Sequence, residues 1–341
     1  MKALVKMQRG DGHLELRDVE EPTARPGWVV LEVIGTGICG TDLHILHDEH
    51  PYWPPVTLGH EFAGRVAEIG EGVEGWNRGD RVVCEPHAGA CGVCHLCRRG
   101  LAQLCADKRS PGWGIDGALA RHVAVPAHLL HRVPHEVSDL AAAVCEPTAI
   151  SVSAFERTGI APGETVVVLG PGPIGLICAM IARSMGAGRV VVVGRSSSRA
   201  RLEIGERVGL EVWDSDERDV LEAAREITDG RGVDLVVDTS GAGPAIANGV
   251  WMLRRRGRLC ALGVSGAEAI EFPWDDALFR AIDLSFSFSS SYTSWDAALS
   301  LLKTGAVDVE PLITAYALER WQDAFSALER REVVKAVLTP V

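Results

Sequence analysis

The stretch TVVVLGPGPIGLICAMIARSMG, residues 165–186, limits the fold more than any other part of the chain. Gly170, Gly172 and Gly175 form the spacing G-x-G-x-x-G, with Pro173 and Ile174 inside it. An apolar, valine-rich run precedes the glycines and an amphipathic helical pattern follows them. A bare glycine match is weak. In this setting the glycines permit a tight turn, close approach of a pyrophosphate and close helix packing. The phosphate then sits at a helix N-terminus, where backbone N–H groups are free. The texture continues through RVVVVG, EVWDS, VDLVVDTSG and RLCALGV. Between these runs lie SSRARLEIGERVG, ERDVLEAAREITDG and GPAIANGVWMLRRRG, all read as helices. Near-continuous apolar strands separated by helices predict a parallel, doubly wound sheet over residues 151–285.

Residues 1–150 read differently. MKALVKM, HLELRDVE, WVVLEVIGTGIC, EFAGRVAEIG, RVVCEP and HVAVPAHLLHRVP are short strand candidates bounded by Gly, Pro and Asp. Such spacing predicts a barrel-like or sandwich-like β domain. SVSAFERTG reads as a connecting helix, and residues 286–341 hold two helices and a last strand, VKAVLTPV. A length of 341 residues suits two domains of ordinary size. The net charge of -12, without a basic run, argues against nucleic-acid or anionic-membrane binding. No apolar run approaches the roughly 20 residues that span a bilayer. The start, MKALVKMQRGDG, lacks the apolar core of a signal peptide, which predicts the cytoplasm and reduced thiols.

Clustered cysteines in that setting point to metal. Cys91, Cys94, Cys97 and Cys105 are spaced C-x2-C-x2-C-x7-C. Four thiolates on one loop can close a tetrahedral zinc site with no position for substrate. An iron–sulfur cluster is a rival that the spacing leaves open. A second set is dispersed: Cys39 in GICGTDLHI, His60 and Glu61 in LGHEFAG, and Cys145 and Glu146 in AAVCEPTA. A catalytic zinc takes about three protein ligands and keeps one position open. Cys84, Cys178 and Cys260 sit in apolar segments and read as packing residues.

GICGTDLHI, the run GHEFAGRVAEIGEGV with its following GDRV, and the four-cysteine lobe together resemble the zinc-dependent medium-chain alcohol dehydrogenases. The resemblance covers nearly the whole chain and leans toward the sorbitol (polyol) and threonine dehydrogenase branch. It implies an α/β two-domain fold: a GroES-like catalytic domain, a Rossmann domain, and a tail that returns to the catalytic domain. It implies two Zn2+ per chain. Cys39 and His60 would be catalytic-zinc ligands, with Glu61 a ligand or an exchanging neighbour. Simple-alcohol members place a cysteine near the end of the first domain and polyol members a glutamate. The EP context favours Glu146 over Cys145. Thr41 matches the residue that takes the substrate hydroxyl proton, and His44 the one that passes it to solvent. Asp42 would orient a zinc ligand.

NAD-using members end the second Rossmann strand with an acid that holds the ribose 2′-hydroxyl. Here Gly194 stands there, no acid lies nearby, and Arg195, Ser196 and Arg199 follow. That predicts NADP(H) preferred, NAD(H) possible, since a guanidinium pairs with a 2′-phosphate. His47, His50, Tyr52, Trp53 and Trp113 are candidates to line a substrate cleft. The expected reaction interconverts a secondary alcohol (a polyol, sugar or cyclitol) and its ketone, in a homo-oligomer, dimer or tetramer. Two readings stay open beside it: L-threonine 3-dehydrogenase, and a non-catalytic protein that binds zinc and nucleotide.

Overall fold

A computed structural model describes residues 1–340 of the chain. Its largest sheet has seven strands. In spatial order they are Ile313–Ala317, Lys335–Thr339, Trp28–Gly37, Glu61–Ile69, Arg81–Cys84 and Leu130–Arg132, with His122–Pro126 also paired to Trp28–Gly37. Leu14–Asp18, Lys2–Lys6 and Val56–Thr57 form a smaller antiparallel sheet beside it.

The second sheet is parallel throughout, in the order Glu211–Asp214, Arg189–Gly194, Thr165–Leu169, Val233–Asp238, Leu253–Ala261 and Asp283–Phe286. The strand order reverses beside Thr165–Leu169, which opens a crevice at its carboxyl end. The apolar runs of the sequence have a simple cause. Val166 and Val168 face a core with helices Cys145–Thr158 and Pro173–Ser184, while Val167 and Leu169 face a second core with Val220–Glu226 and Gly243–Met252. A strand covered on both faces needs apolar residues at every position. The chain is thus a GroES-like lobe joined to a Rossmann lobe. The first core also takes Ala63, Val83 and Val337 from the seven-stranded sheet, so it runs beneath both lobes.

Three local readings change. The helix read as GPAIANGVWMLRRRG stops at Met252. Leu253 is buried against Val233, so LRRRG enters the strand Leu253–Ala261. The connecting helix begins at Cys145, not Ser151, which brings Glu146 into its first turn. The tail is divided. Ile313–Ala317, not anticipated as a strand, and Lys335–Thr339 extend the first sheet, while helix Tyr292–Thr304 lies in the shared core.

Candidate active site and metal centres

Strand Trp28–Gly37 ends just before Cys39, which sits at the N-terminus of the short helix Gly40–Leu46. The Cys39 N–H donates to Asp42 Oδ2 at 2.8 Å, so the acid closes the first turn and fixes the cysteine. Gly37 pairs with Glu61 across the sheet. A Cβ on Gly37 would collide with Glu61 Oε2, so only glycine leaves room for that carboxylate. Gly59, at φ +97°, turns the chain so that His60 points inward, and a Cβ there would lie 2.8 Å from Leu119 N. The result is a cluster in which the ligand atoms of Cys39, His60 and Glu61 all lie within 4.8 Å of one another. His60 and Glu61 are buried and Cys39 is partly so.

Glu146 stands beside this trio but outside it. Burial and the neighbouring charge of Glu61 push its carboxyl up to about 7. Cys145 packs into the core instead, with its thiol pushed up by burial. Lys335, from the last strand, pairs with Glu61 and donates to Ile38 O at 3.0 Å. Burial works against its ammonium, but Glu61 and Cys39 outweigh it and hold the group above its ordinary range. The Cys39 thiol is pushed well up, by burial first and Glu61 second. Asp42 Oδ1 lies 4.0 Å from His60 Nδ1, and neither atom has a hydrogen-bond partner among the described residues. Thr41 Oγ1 is 3.8 Å from Cys39 Sγ. His44 is about half exposed, with Nδ1 held by Glu49 at 2.8 Å.

The trio fits a divalent cation. It offers sulfur, imidazole and carboxylate together, and the buried His60 Nδ1, Asp42 Oδ1 and Glu146 Oε2 lack partners. The second cluster also fits. The sulfurs of Cys91, Cys94, Cys97 and Cys105 lie within 4.8 Å of one another, and all nine cysteines are free of disulfides. Backbone N–H groups of Cys91, Cys94 and Cys97 donate to sulfurs of the same loop, each at 3.4 Å. Such donors favour thiolates: N–H groups of Val93 and Cys94 hold Cys91 down at about 7. Burial and Cys94 push Cys97 up to about 12.

A cavity of about 730 Å3 opens at the Rossmann crevice, lined by Gly170, Pro171, Gly172, Gly194, Arg195, Arg201, Arg218 and Arg331 among others. Gly170 turns at φ +106°, and a Cβ on Gly175 would strike the Gly170 carbonyl. Pro173 and Ile174 line a second cavity of about 330 Å3, together with Cys39, Glu61 and Lys335. Arg201 and Arg331 line both cavities. Arg331 donates to Ser197 Oγ at 2.8 Å, and Arg201 donates to Val333 O at 2.9 Å, so the pair ties the tail to the Rossmann lobe.

At this crevice the structure differs from the sequence expectation in two ways. The room at Gly194 is taken by packing: a Cβ there would lie 2.8 Å from both Pro171 Cγ and Leu202 Cδ2. Acids do lie nearby, brought in from the end of the adjacent strand. Arg195 Nε donates to Asp216 Oδ1 at 3.0 Å, Ser196 Oγ to Asp214 Oδ2 at 2.7 Å, and Arg199 faces Glu217 at 3.4 Å. Among the cleft candidates, Tyr52 is fully buried and donates to Asp48, and His47 is held by Asp11 and Glu329. His50, Trp53 and Trp113 do gather into one cluster. Sequence reading missed Lys335, Arg201, Arg218 and Arg331. No local pattern marks them, though a lysine in the apolar strand VKAVLTPV was a signal.

Residues 25–135 match the family described as Alcohol dehydrogenase GroES-like domain, and residues 173–304 the family described as Zinc-binding dehydrogenase. A sorbitol dehydrogenase of Halalkalibacterium halodurans is 39% identical over 343 residues, covering 100% of each chain. A D-arabitol-phosphate dehydrogenase of Enterococcus avium is 32% identical, covering 99% of this chain and 97% of its own. The crystal structure of a zinc-binding dehydrogenase of Sinorhizobium meliloti, bound to NADP, superposes with a TM-score of 0.92 at 33% identity, over 99% of both chains. The chain belongs to the zinc-dependent medium-chain alcohol dehydrogenase family, as an enzyme of its alcohol and polyol dehydrogenase group.

Proposed function

We propose that this enzyme interconverts a secondary alcohol of the polyol, sugar or cyclitol class and its ketone by hydride transfer, with NADP(H) preferred over NAD(H). The observation that carries the reading is the pair of cavities joined at Arg201 and Arg331, one at the glycine turn and the other reaching Cys39 and Glu61. A dinucleotide laid along them has its phosphates at Gly170, Gly172 and the helix start at Pro173, and its nicotinamide end toward the trio.

Cys39, His60 and Glu61 would hold a catalytic zinc, with Glu146 beside it directly or through water. Cys91, Cys94, Cys97 and Cys105 would hold a second, structural one. Zinc bound at the trio supplies Lewis acidity toward the substrate oxygen. The chain's own residues handle the proton. Thr41 accepts it from the substrate hydroxyl, and His44 passes it to solvent, its ring steadied by Glu49. Lys335 fixes the Glu61 carboxylate, and Asp42 fixes the turn that carries Cys39.

Arg195, Ser196 and Arg199 would meet the ribose 2′-phosphate, and the NADP held by the Sinorhizobium meliloti protein supports that preference. Around the edge strand Asp283–Phe286, the exposed Trp274, Phe279, Leu284 and Phe286 support a homo-oligomer, dimer or tetramer. The division into residues 1–150, 151–285 and 286–341 and a cytoplasmic setting go with this reading. Among the described residues no helix is long and apolar enough to cross a membrane. The test is a set of initial rates over polyols, sugars, cyclitols, threonine and simple secondary alcohols, with NADP and NAD, before and after chelation. Chelator-sensitive oxidation of a polyol or sugar, faster with NADP, is expected. Cofactor binding without turnover on any alcohol would turn the reading toward a non-catalytic nucleotide-binding protein.

A further inference from the structure

Among the described residues three lysines are more than nine-tenths buried: Lys6 at 0%, Lys335 at 2% and Lys108 at 8% exposure. Taking an ammonium from water costs several kcal/mol unless oxygens replace the water. Lys6 meets three carbonyls, those of Gly10, Gly12 and Leu46, at 2.6, 2.5 and 3.0 Å. Lys335 has Glu61 and the Ile38 carbonyl. Lys108 has no oxygen at all within hydrogen-bond or ion-pair reach among the described residues. Its ammonium lies 5.9 Å from the Trp113 ring centroid and 5.3 Å from that of Phe288. Two rings offer attraction, and no protein oxygen completes the ammonium, whose Nζ still reaches accessible space beside them.

The neighbours of Lys108 repeat the pattern. Arg109 stacks 3.7 Å over Trp53 and also lacks a carboxylate partner among the described residues. Trp53 stacks on Trp113, and His50 meets Trp113 edge-on at 5.3 Å, its buried Nε2 without a partner. Two unpaired cations and an imidazole therefore ring one aromatic pair. The cluster stands near the metal trio: Glu146 interacts electrostatically with Glu61 and His60 of the trio and with Lys108, and it closes no ion pair with the lysine.

We propose that Lys108 anchors an anionic group of the substrate, a phosphate or a carboxylate, with Arg109 and His50 beside it and the reacting carbinol turned toward Cys39, His60 and Glu61. The inference rests on the dehydrogenase reading and sharpens its substrate class. A neutral hydroxyl would give Lys108 one acceptor and leave Arg109 uncompensated. A phosphate or carboxylate brings several acceptor oxygens and a full charge to both.

The test measures kcat and KM with D-sorbitol, D-sorbitol 6-phosphate and L-threonine for the native enzyme, Lys108→Met and Lys108→Arg. One anionic probe is expected to exceed sorbitol in kcat/KM, and which one does so separates phosphate from carboxylate. Lys108→Met should raise that probe's KM by about tenfold to a hundredfold, the range of a charge-assisted hydrogen bond, with kcat little changed. Lys108→Arg should restore most of it. Removing an unpartnered buried charge should hold or raise the melting temperature of Lys108→Met. A purely structural lysine would lower it. Sorbitol used as well as or better than both anionic probes overturns the proposal. Failure of the dehydrogenase reading looks different: no probe is oxidised by the native enzyme with either cofactor. Calorimetric titration with inorganic phosphate then decides. Binding lost in Lys108→Met upholds the anchor, and equal heats in both proteins overturn it.

Discussion

The two metal-type clusters are built in opposite ways. Cys91, Cys94, Cys97 and Cys105 follow one another along a single loop, and that loop's own N–H groups hold three of the sulfurs. Cys39, His60 and Glu61 meet because Gly37 pairs with Glu61, and the pairing of Val337 with Gly37 carries Lys335 to their side. The first site closes a loop with little core of its own. The second depends on three strands from both ends of the chain. Four sulfurs complete a coordination sphere, whereas three mixed ligands leave a place for substrate. On the proposed reading, local construction goes with stability and long-range construction with chemistry.

The contrast breaks or holds on two cysteine substitutions, which carry the largest expected effects. Cys39→Ser should lower kcat/KM by on the order of a thousandfold or more, the scale of several kcal/mol of lost charge stabilisation, while the melting temperature moves little. Cys97→Ser should do the reverse: expose the loop to protease and lower the melting temperature, because metal binding there is folding free energy. Mass spectrometry under native conditions should find one zinc lost in each. If both variants lose activity and stability to the same degree, the division of labour fails.

Asp42 stands beside the trio and closes the turn at Cys39. The cysteine loop orients its sulfurs by backbone alone, but Cys39 is fixed by a side chain, its N–H donating to Asp42 Oδ2 at 2.8 Å. Asp42→Asn should cost about tenfold to a hundredfold in kcat/KM or zinc affinity, the range for residues that orient a ligand. Unchanged zinc affinity and rate would mean that the strand and helix position Cys39 unaided.

The same contrast explains what the sequence could disclose. The four-cysteine spacing and the glycine turn are local, and both were legible with their surroundings. Cys39, His60 and Glu61 were legible only through a resemblance, since nothing in GICGTDLHI or LGHEFAG says that the two segments pair. Lys335 and Arg331 were invisible, because their partners lie far away in the chain: Ile38 for one, Ser197 for the other. The acids beside Arg195 failed for a related reason. Asp214 and Asp216 are distant in sequence but end the neighbouring parallel strand. A parallel crossover places residues side by side across a whole helix, and local reading cannot see that.

Those acids make cofactor choice a contest, with a smaller expected effect. Arg195 is largely exposed, so its bond to Asp216 is weak. Asp216→Asn should free the guanidinium and tighten NADPH by a few-fold, and Arg195→Ala should weaken NADPH by about tenfold with NADH little changed. Fluorescence titration of both cofactors measures this. Parallel losses for NADPH and NADH would place Arg195 on the adenine and not on the 2′-phosphate.

The smallest effect concerns a long-range link held by a proton and not by a metal. His131, buried on strand Leu130–Arg132, has Nε2 3.1 Å from Glu85 and Nδ1 2.9 Å from Asp296 on helix Tyr292–Thr304. Both nitrogens face carboxylates, so both act as donors in the imidazolium form. Burial opposes that charge, but the bonds to Glu85 and Asp296 outweigh it and raise the imidazole above its ordinary range. The folded state therefore favours the proton. Its contribution is full below the unfolded value of about 6.5 and is lost as pH climbs through the raised folded value. His131→Gln should accordingly cost about 1 kcal/mol more at pH 6 than at pH 9, a few degrees in melting temperature. Chelation should leave that difference unchanged, which separates this link from both metal clusters. A gap between native and variant that stays constant from pH 6 to pH 9 would show that His131 is held neutral, with packing alone as its role.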